Sequence, residues 1–311
     1  MKVSILVPLY NCAPYLEACL ESLINQTYKN IEILVSDDCS TDGSYEILCR
    51  IAETDKRIRV HRQAENIGLL KNYNFLFKKA KGELLAIQDS DDWSDLQRIE
   101  KQVSILQKHP DVVMTGVNAV FHYENGKSVS SSYKGGVING IHDNIDFVPA
   151  SIVFRRELLN EVNGMNPYFD GGTSMDRYFI TEMLDGKKAY HINEGLYHAR
   201  VRPSSNHRSF NLKKITSAFV YDYLLEQRRK TGTDWLKEKR WDMIEKLESD
   251  ILGDRKRMSM KFREYATNQI DARALKPALP LLLKALRLNT FSLTNWRTIV
   301  YFIRSAKARK K

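Results

Sequence analysis

Short apolar runs alternate with amphipathic stretches over the first part of the chain. The runs have strand length, and they lie at Val3–Val7, Ile31–Val35, Ile58–Val60, Leu84–Ile87 and Val112–Phe121. Between them, apolar residues recur at helical spacing over Tyr15–Asn25, Ser44–Thr54, Leu69–Ala80 and Leu96–His109. This alternation predicts an α/β fold with a doubly wound, mostly parallel sheet and right-handed crossovers.

The pattern changes twice further along the chain. Residues 123–145 are rich in Ser, Gly and Asn and predict a loop or an irregular hairpin. From about Asn211 the sequence becomes helical and charged. We therefore expect an α/β domain at 1–210, with halves at about 1–120 and 121–210, followed by a C-terminal helical extension at 211–311.

Two apolar stripes stand out in the extension. One consists of Leu275, Leu279, Leu282 and Leu286, and the other of Trp296, Ile299, Val300 and Ile303. Pro277 and Pro280 predict that the first of these helices starts late or is broken.

The net charge of +10 is unevenly distributed. Residues 1–210 carry 24 Lys/Arg against 27 Asp/Glu, whereas residues 211–311 carry 24 against 11. After Asp271 ten basic residues and no acidic ones follow. Basic charge combined with apolar stripes favours an anionic membrane surface as a partner over nucleic acid, for which no binding module is recognised. The alternative is a helical cap whose basic end is solvated.

The cysteine pattern and the lack of long apolar runs favour a location in the cytoplasm. The four cysteines, Cys12, Cys19, Cys39 and Cys49, form no Cys-x-x-Cys pair, and free thiols suit a reducing cytoplasm. We recognise no secretory start and no apolar run of about 18 residues, the length that a membrane span needs. The expected location is cytoplasmic and peripheral, on the inner face of the cytoplasmic membrane.

Polar clusters follow three of the predicted strands. Residues 8–11 follow the first, residues 36–44 the second and residues 88–93 the fourth. Ligands of doubly wound sheets bind beyond the carboxyl ends of the strands, so these clusters should meet at one edge. The glycine patterns of a dinucleotide-binding fold and of a P-loop are absent from the sequence.

Three carboxylates in four residues, Asp89, Asp91 and Asp92, are the sharpest chemical signal. They repel one another unless a cation neutralises them, and Mg²⁺ or Mn²⁺ would share carboxylate oxygens with substrate phosphates. The alternative is a solvated turn that caps the next helix. In the second cluster, Asp38 could accept the imide N–H of uracil or thymine, while Ser40, Thr41 or Asp42 caps a helix.

The order of these motifs resembles family 2 glycosyltransferases of the GT-A fold, of the non-processive bacterial type. The resemblance runs from residue 1 to about 205. Its motifs are Val7–Asn11, Asn25–Tyr28, Ser36–Ser44, Asn66–Gly68, Lys81–Glu83 and Asp89–Asp92. The Gln-x-x-Arg-Trp signature of processive members is absent, which favours single addition of a sugar.

The resemblance implies a role for each matching residue of the nucleotide-sugar site. Pro8 and Tyr10 would line the base and ribose pocket, and Asp38 would hold the base. Asn66 and Gly68 would also lie at the nucleotide-sugar, and Asp89 would approach the ribose or the donor sugar. Asp91 would bind Mn²⁺ or Mg²⁺, with Asp92 as a possible second ligand. Arg202, where relatives often have histidine, would pair with diphosphate oxygens.

The resemblance also implies a catalytic base. Relatives usually carry a Glu-Asp pair after a Phe-Asp segment, and here the pair is Met175-Asp176. Asp176 is therefore the expected base, with Asp170 in reserve. Asp176 as a plain helix cap is the alternative.

We therefore expect an inverting, metal-dependent transferase that moves a sugar from a UDP- or dTDP-sugar to a lipid-linked or polysaccharide acceptor in bacterial surface glycan synthesis. A catalytically altered nucleotide-sugar-binding protein and a nucleotidyltransferase are the alternatives.

Overall fold

The computed structural model describes residues 1–143, 147–202, 210–271 and 274–308. These residues form one ten-stranded sheet, whose strands are β1 (Val3–Leu9), β2 (Ile31–Asp37), β3 (Ile58–Arg62), β4 (Leu84–Ile87), β5 (Trp93–Ser94), β6 (Val112–Tyr123), β7 (Ser128–Ser130), β8 (Gly136–Ile138), β9 (Val153–Arg155) and β10 (Lys188–Val201). The helices are α1 (Ala13–Ile24), α2 (Ser44–Ala52), α3 (Leu69–Lys79), α4 (Arg98–Lys108), α5 (Met175–Met183), α6 (Leu212–Thr231), α7 (Trp241–Gly253), α8 (Arg255–Asp271), α9 (Leu275–Leu288) and α10 (Leu293–Ala308).

The sheet is mostly parallel and has the strand order β3-β2-β1-β4-β9-β6-β10-β5. Strands β3, β2, β1 and β4 are parallel neighbours, as are β6 and β10. The short β9 lies antiparallel between β4 and β6, and β5 is antiparallel to β10. The predicted α/β fold is confirmed, since the five predicted strands and four predicted helices all form.

The core lies against a sheet whose central strands are mostly apolar and buried along their whole length. Every residue of β1 and β2 is buried, as expected for parallel strands covered on both faces. The helices bury one face each. In α4 that face consists of Ile99, Val103 and Leu106, which repeat at helical spacing and pack in the same core as β1.

The described chain divides into two compact units. The first comprises Met1–Asp170 and Ser174–Val201, and the second comprises Gly171–Thr173 and the described residues from Arg202 onward. Residues 123–138 form β7 and β8 with their connections, and residues 144–146 of the predicted loop lie outside the described residues.

The second unit contains the C-terminal helical region, with α6 to α10. Its core is formed by α8 and α9 around Phe262, Ala266, Leu282 and Ala285, with Ile299 of α10 packed against it. Over the described residues, no helix is both long enough and apolar enough to cross a membrane.

The prediction that the helix with the first apolar stripe, Leu275 to Leu286, starts late or is broken was wrong. The helix α9 begins at Leu275 and contains both prolines. Pro277 lies in the first turn, where an N–H group has no partner within the helix, and Pro280 removes a single hydrogen bond one turn later.

Candidate active site

Three neighbouring parallel strands end at the same edge of the sheet. In the register, Leu9 of β1 lies opposite Asp37 of β2, and Leu6 lies opposite Ile87, the last residue of β4. The segments that follow these strands begin with Tyr10, Asp38 and Gln88. The fold therefore brings the three predicted polar clusters to one edge.

The three carboxylates after β4 form a compact acidic cluster. One oxygen each of Asp89, Asp91 and Asp92 can be chosen so that all three atoms lie within 4.8 Å of one another. Asp92 is buried, and the other two are half-buried. Oxygen atoms at this spacing are a suitable donor set for a hard divalent cation.

Burial and mutual repulsion oppose the ionisation of this acidic cluster. Burial, followed by the charge of Asp91, raises the pKa of Asp89 to about 7. Burial, followed by the charges of Asp89 and Asp91, raises the pKa of Asp92 to about 8. A bound cation would remove this cost, so the residues present fit a divalent metal ion.

Two tyrosines and the backbone of β10 fix the orientation of these carboxylates. The Tyr73 hydroxyl donates to Asp89 Oδ1 at 3.0 Å, and the Tyr197 hydroxyl donates to Asp92 Oδ2 at 2.9 Å. The backbone N–H of Arg200 donates to Asp92 Oδ1 at 2.8 Å. Helix α3 and strand β10 therefore both position the loop.

A fully buried arginine supports the acidic loop from α4. The Arg98 guanidinium donates to Ile87 O at 2.8 Å, to Gln88 Oε1 at 2.9 Å and to Ser94 Oγ at 2.9 Å. Its hydrogen-bond acceptors are neutral, and burial lowers its pKa to about 10. These bonds tie the end of β4 to β5 and span the acidic loop.

A second arginine lies beside the acidic cluster. The Arg200 guanidinium donates to the carbonyl oxygen of Asp91. It lies 4.3 Å from the centroid of the Trp93 ring and 5.2 Å from that of Tyr15. Two aromatic rings thus hold a cationic group next to the loop that carries the carboxylates.

The second polar segment is organised around Asp38, which is 3% exposed. Its two oxygens accept the backbone N–H groups of Ile67 at 2.8 Å and of Gly68 at 2.9 Å. Gly68 has a φ of +86°, which favours glycine, and Asn66 Oδ1 accepts its N–H at 3.2 Å. Asp38 therefore fixes the turn that contains Asn66 and Gly68, at the start of α3.

Pro8 and Tyr10 differ in accessibility. Pro8 is buried in β1 opposite Ser36, whereas Tyr10 is 48% exposed just beyond the strand. An exposed aromatic ring at the end of a central strand is available for stacking on a flat ligand.

Asp176, the expected base, lies in the first turn of α5 and is half-buried. Its carboxylate accepts the N–H of Arg177 at 2.7 Å. Its charge contributes to the raised pKa values of Asp89 and Tyr73, which places it near the acidic cluster. Asp170 instead lies 3.9 Å from Lys71 Nζ and is 40% exposed. Arg202 follows β10 at the start of the second unit.

Four residues of this site were not predicted from the sequence, namely Tyr73, Arg98, Tyr197 and Arg200. In the sequence, Arg98 resembles an exposed charged residue of a helix, and only the structure shows that it is buried. Tyr197 and Arg200 lie more than one hundred residues after the carboxylates that they contact. Only the pairing of β10 with β5 and β6 reveals their position.

The fold and site define an α/β enzyme of the GT-A type. The chain belongs to glycosyl transferase family 2, since the family model "Glycosyl transferase family 2" matches residues 4–169. The chain is therefore a glycosyltransferase, and this membership favours sugar transfer over the nucleotidyltransferase alternative.

A curated relative agrees with this assignment, and two solved structures share the fold. Glycosyltransferase GlyG of Streptococcus pneumoniae serotype 4 is 31% identical over 223 residues, which cover 65% of this chain and 72% of the relative. TarS 1-349 of S. aureus, solved in complex with UDP-GlcNAc, has a TM-score of 0.58 at 18% identity, with 98% of this chain and 81% of that chain covered.

The second structure is the mannosyltransferase PcManGT of Pyrobaculum calidifontis, solved in complex with GDP-Man and Mn²⁺. It has a TM-score of 0.56 at 19% identity, and the match covers 98% of this chain and 86% of the PcManGT chain. Both structural likenesses confirm the fold.

Proposed function

We propose that this glycosyltransferase uses a UDP- or dTDP-sugar and Mn²⁺ or Mg²⁺, inverts the anomeric centre, and acts on a lipid-linked or polysaccharide acceptor in bacterial glycan synthesis. The observation that carries the proposal is the cluster of Asp89, Asp91 and Asp92 at the edge of the sheet. That edge also carries Asp38 and Tyr10.

The nucleotide would lie over the ends of β1 and β2. The exposed Tyr10 ring would stack on the base, with Pro8 forming the floor of the pocket. Each oxygen of Asp38 already accepts one backbone N–H, and a carboxylate oxygen can accept a second hydrogen bond. Asp38 would thus receive the imide N–H of uracil or thymine, with Asn66 and Gly68 beside it.

The diphosphate would lie at the acidic cluster. Asp91 would hold the metal ion, Asp92 is a possible second ligand, and Asp89 would approach the ribose or the donor sugar. When bound, the ion would act as a Lewis acid that takes up charge on the leaving diphosphate. Arg202 would add a guanidinium that pairs with diphosphate oxygens.

Asp176 would act as the general base. Inverting transfer needs a carboxylate that removes the proton of the acceptor hydroxyl while that oxygen attacks the anomeric carbon. The position of Asp176 near the acidic cluster supports this role. Asp170, which lies 3.9 Å from Lys71, remains the reserve candidate and serves as the matched control.

The test measures nucleoside-diphosphate release and sugar transfer from a panel of nucleotide-sugars with Mn²⁺, Mg²⁺ or EDTA. We expect turnover with a UDP- or dTDP-sugar that EDTA abolishes. Asp176→Asn should lower kcat for transfer by about 10²-fold or more, because it removes the group that accepts the proton. It should leave the affinity for the nucleotide-sugar unchanged, because Asp176 makes no proposed contact with that substrate. Asp170→Asn should retain activity. Metal-independent turnover, or full activity of Asp176→Asn, would refute the corresponding part of the proposal.

A further inference from the structure

The outer face of α10 is apolar although its inner face already packs on the core of the second unit. Ile299 and Phe302 point toward that core. Leu293, Trp296, Val300 and Ile303 recur at helical spacing on the neighbouring, outward side, and each is between 47% and 64% exposed. The predicted stripe is therefore divided between the two faces, because Ile299 packs inward while its three partners point outward.

The turn before α10 extends this outer face. Phe291 is 98% exposed, the highest value among the exposed large apolar side chains of the described residues. Apolar residues of α9, including Leu279 and Leu283, are also more than 40% exposed. No described residue of the second unit covers Phe291. Burying this ring against a partner would remove a large apolar surface from water and would therefore be favourable.

Basic side chains accompany the apolar face. On α10, Arg297 and Arg304 each follow an outward apolar residue by one position, and both are exposed. No acidic residue occurs anywhere in the sequence after Asp271. Two copies of this face would therefore repel each other, whereas an anionic surface would be attracted.

A basic cavity of about 350 Å³ lies beside Phe291. Its lining includes Lys256, Arg257 and Arg263 of α8 together with Ser292 and Thr294, the residues on either side of Leu293. Asp254 is the one carboxylate in the lining, so the cavity has net positive charge. Hydroxyl groups and cations around one small cavity are suited to a phosphate group.

We propose that this part of the second unit docks on an anionic lipid bilayer, with Phe291, Leu293 and Trp296 in the interface and a lipid phosphate in the basic cavity. Helix α10 then lies along the membrane surface with its arginines at the headgroups. The inference concerns where the enzyme is held, and it needs neither the donor nor the metal of the proposed function.

The test uses the full-length protein and sedimentation with vesicles of phosphatidylcholine alone or of an equimolar mixture with phosphatidylglycerol. The wild type should bind the anionic vesicles at least about tenfold more tightly than the neutral ones. Phe291→Ser with Leu293→Ser should weaken this binding about tenfold or more. The control replaces two exposed apolar residues of α7, Trp241→Ser with Leu252→Ser, which are 49% and 46% exposed, and should bind like the wild type.

A second pair of variants tests the cavity. Lys256→Gln with Arg263→Gln should reduce the preference for anionic vesicles by about tenfold, since each cation near the surface contributes to binding. Lys230→Gln with Lys246→Gln removes the same charge from α6 and α7 and should have a smaller effect. Circular dichroism verifies that all four variants fold.

Three results would overturn the proposal. The first is equal binding of neutral and anionic vesicles, and the second is equal losses in the test and control variants. The third is a wild-type dimer that Phe291→Ser with Leu293→Ser converts to a monomer while vesicle binding is unchanged. Because no donor is present, none of these results bears on sugar transfer.

Discussion

At the acidic cluster, the folded protein holds carboxyl groups where their ionisation is unfavourable. The pKa values of Asp89 and Asp92 are raised to about 7 and about 8, whereas an aspartate in an unfolded chain has a pKa of about 4. The cost is absent below the unfolded value. It grows as pH rises from the unfolded value to the folded values, because over this range the unfolded state has released protons that the folded state still binds.

We therefore predict that the metal-free protein loses stability between about pH 5 and about pH 8. In EDTA, the Tm of the wild type should fall over this range more steeply than that of Asp92→Asn, which has one fewer group to ionise. Mn²⁺ should largely suppress the fall. Asp111→Asn, which changes an exposed aspartate paired with Lys188, should follow the wild type. Parallel Tm profiles for the wild type and Asp92→Asn would contradict the prediction.

The site residues that the sequence predicts are those whose chemistry is local. Asp89, Asp91 and Asp92 lie within four consecutive residues, so their repulsion is evident without a structure. Arg200 could not be assigned, because its contact with the Asp91 carbonyl depends on the register of β10. Nor does the sequence show that Asp38 is held by the N–H groups of Ile67 and Gly68.

Among the secondary-structure elements, too, those defined by local sequence were predictable and those defined by long-range pairing were not. The central strands were predictable because each is a short, mostly apolar run. Strands β9 and β10 were not predictable in this way. Strand β9 has only three residues and lies between β4 and β6, which are distant in sequence. In β10, register shifts between Ile192 and Tyr197 disturb the alternation of apolar and polar residues.

Helix α9 offers a direct test of how its prolines are accommodated. Pro280→Ala should raise the free energy of unfolding by about 2 kcal/mol, because it restores an N–H that can bond to the carbonyl of Lys276. Pro277→Ala is the matched control, since Pro277 is also exposed but lies in the first turn. It should change stability by less than about 1 kcal/mol. Urea unfolding measures both, and equal effects of the two substitutions would be inconsistent with a continuous α9.

At the scale of the whole molecule, the candidate active site and the excess of positive charge lie in different parts of the chain. Residues 1–210 have a net charge of −3 and contain the acidic cluster, whereas residues 211–311 have a net charge of +13. The sequence alone reveals this asymmetry, because it is a matter of counting. The sequence does not reveal which apolar side chains remain exposed, since Ile299 packs against the core of the second unit whereas the adjacent Val300 is 48% exposed.

Central to the proposed function is that the acidic cluster, with Asp91 as the metal ligand and Asp92 as the second one, binds a divalent cation together with a nucleoside diphosphate. Isothermal titration calorimetry of Mn²⁺ binding, with and without UDP, tests it most directly. The wild type should bind Mn²⁺ more tightly when UDP is present, because the diphosphate adds oxygen ligands. Asp91→Asn should weaken Mn²⁺ binding by about tenfold or more, and Asp111→Asn should leave it unchanged. Wild-type Mn²⁺ affinity in Asp91→Asn would contradict the account.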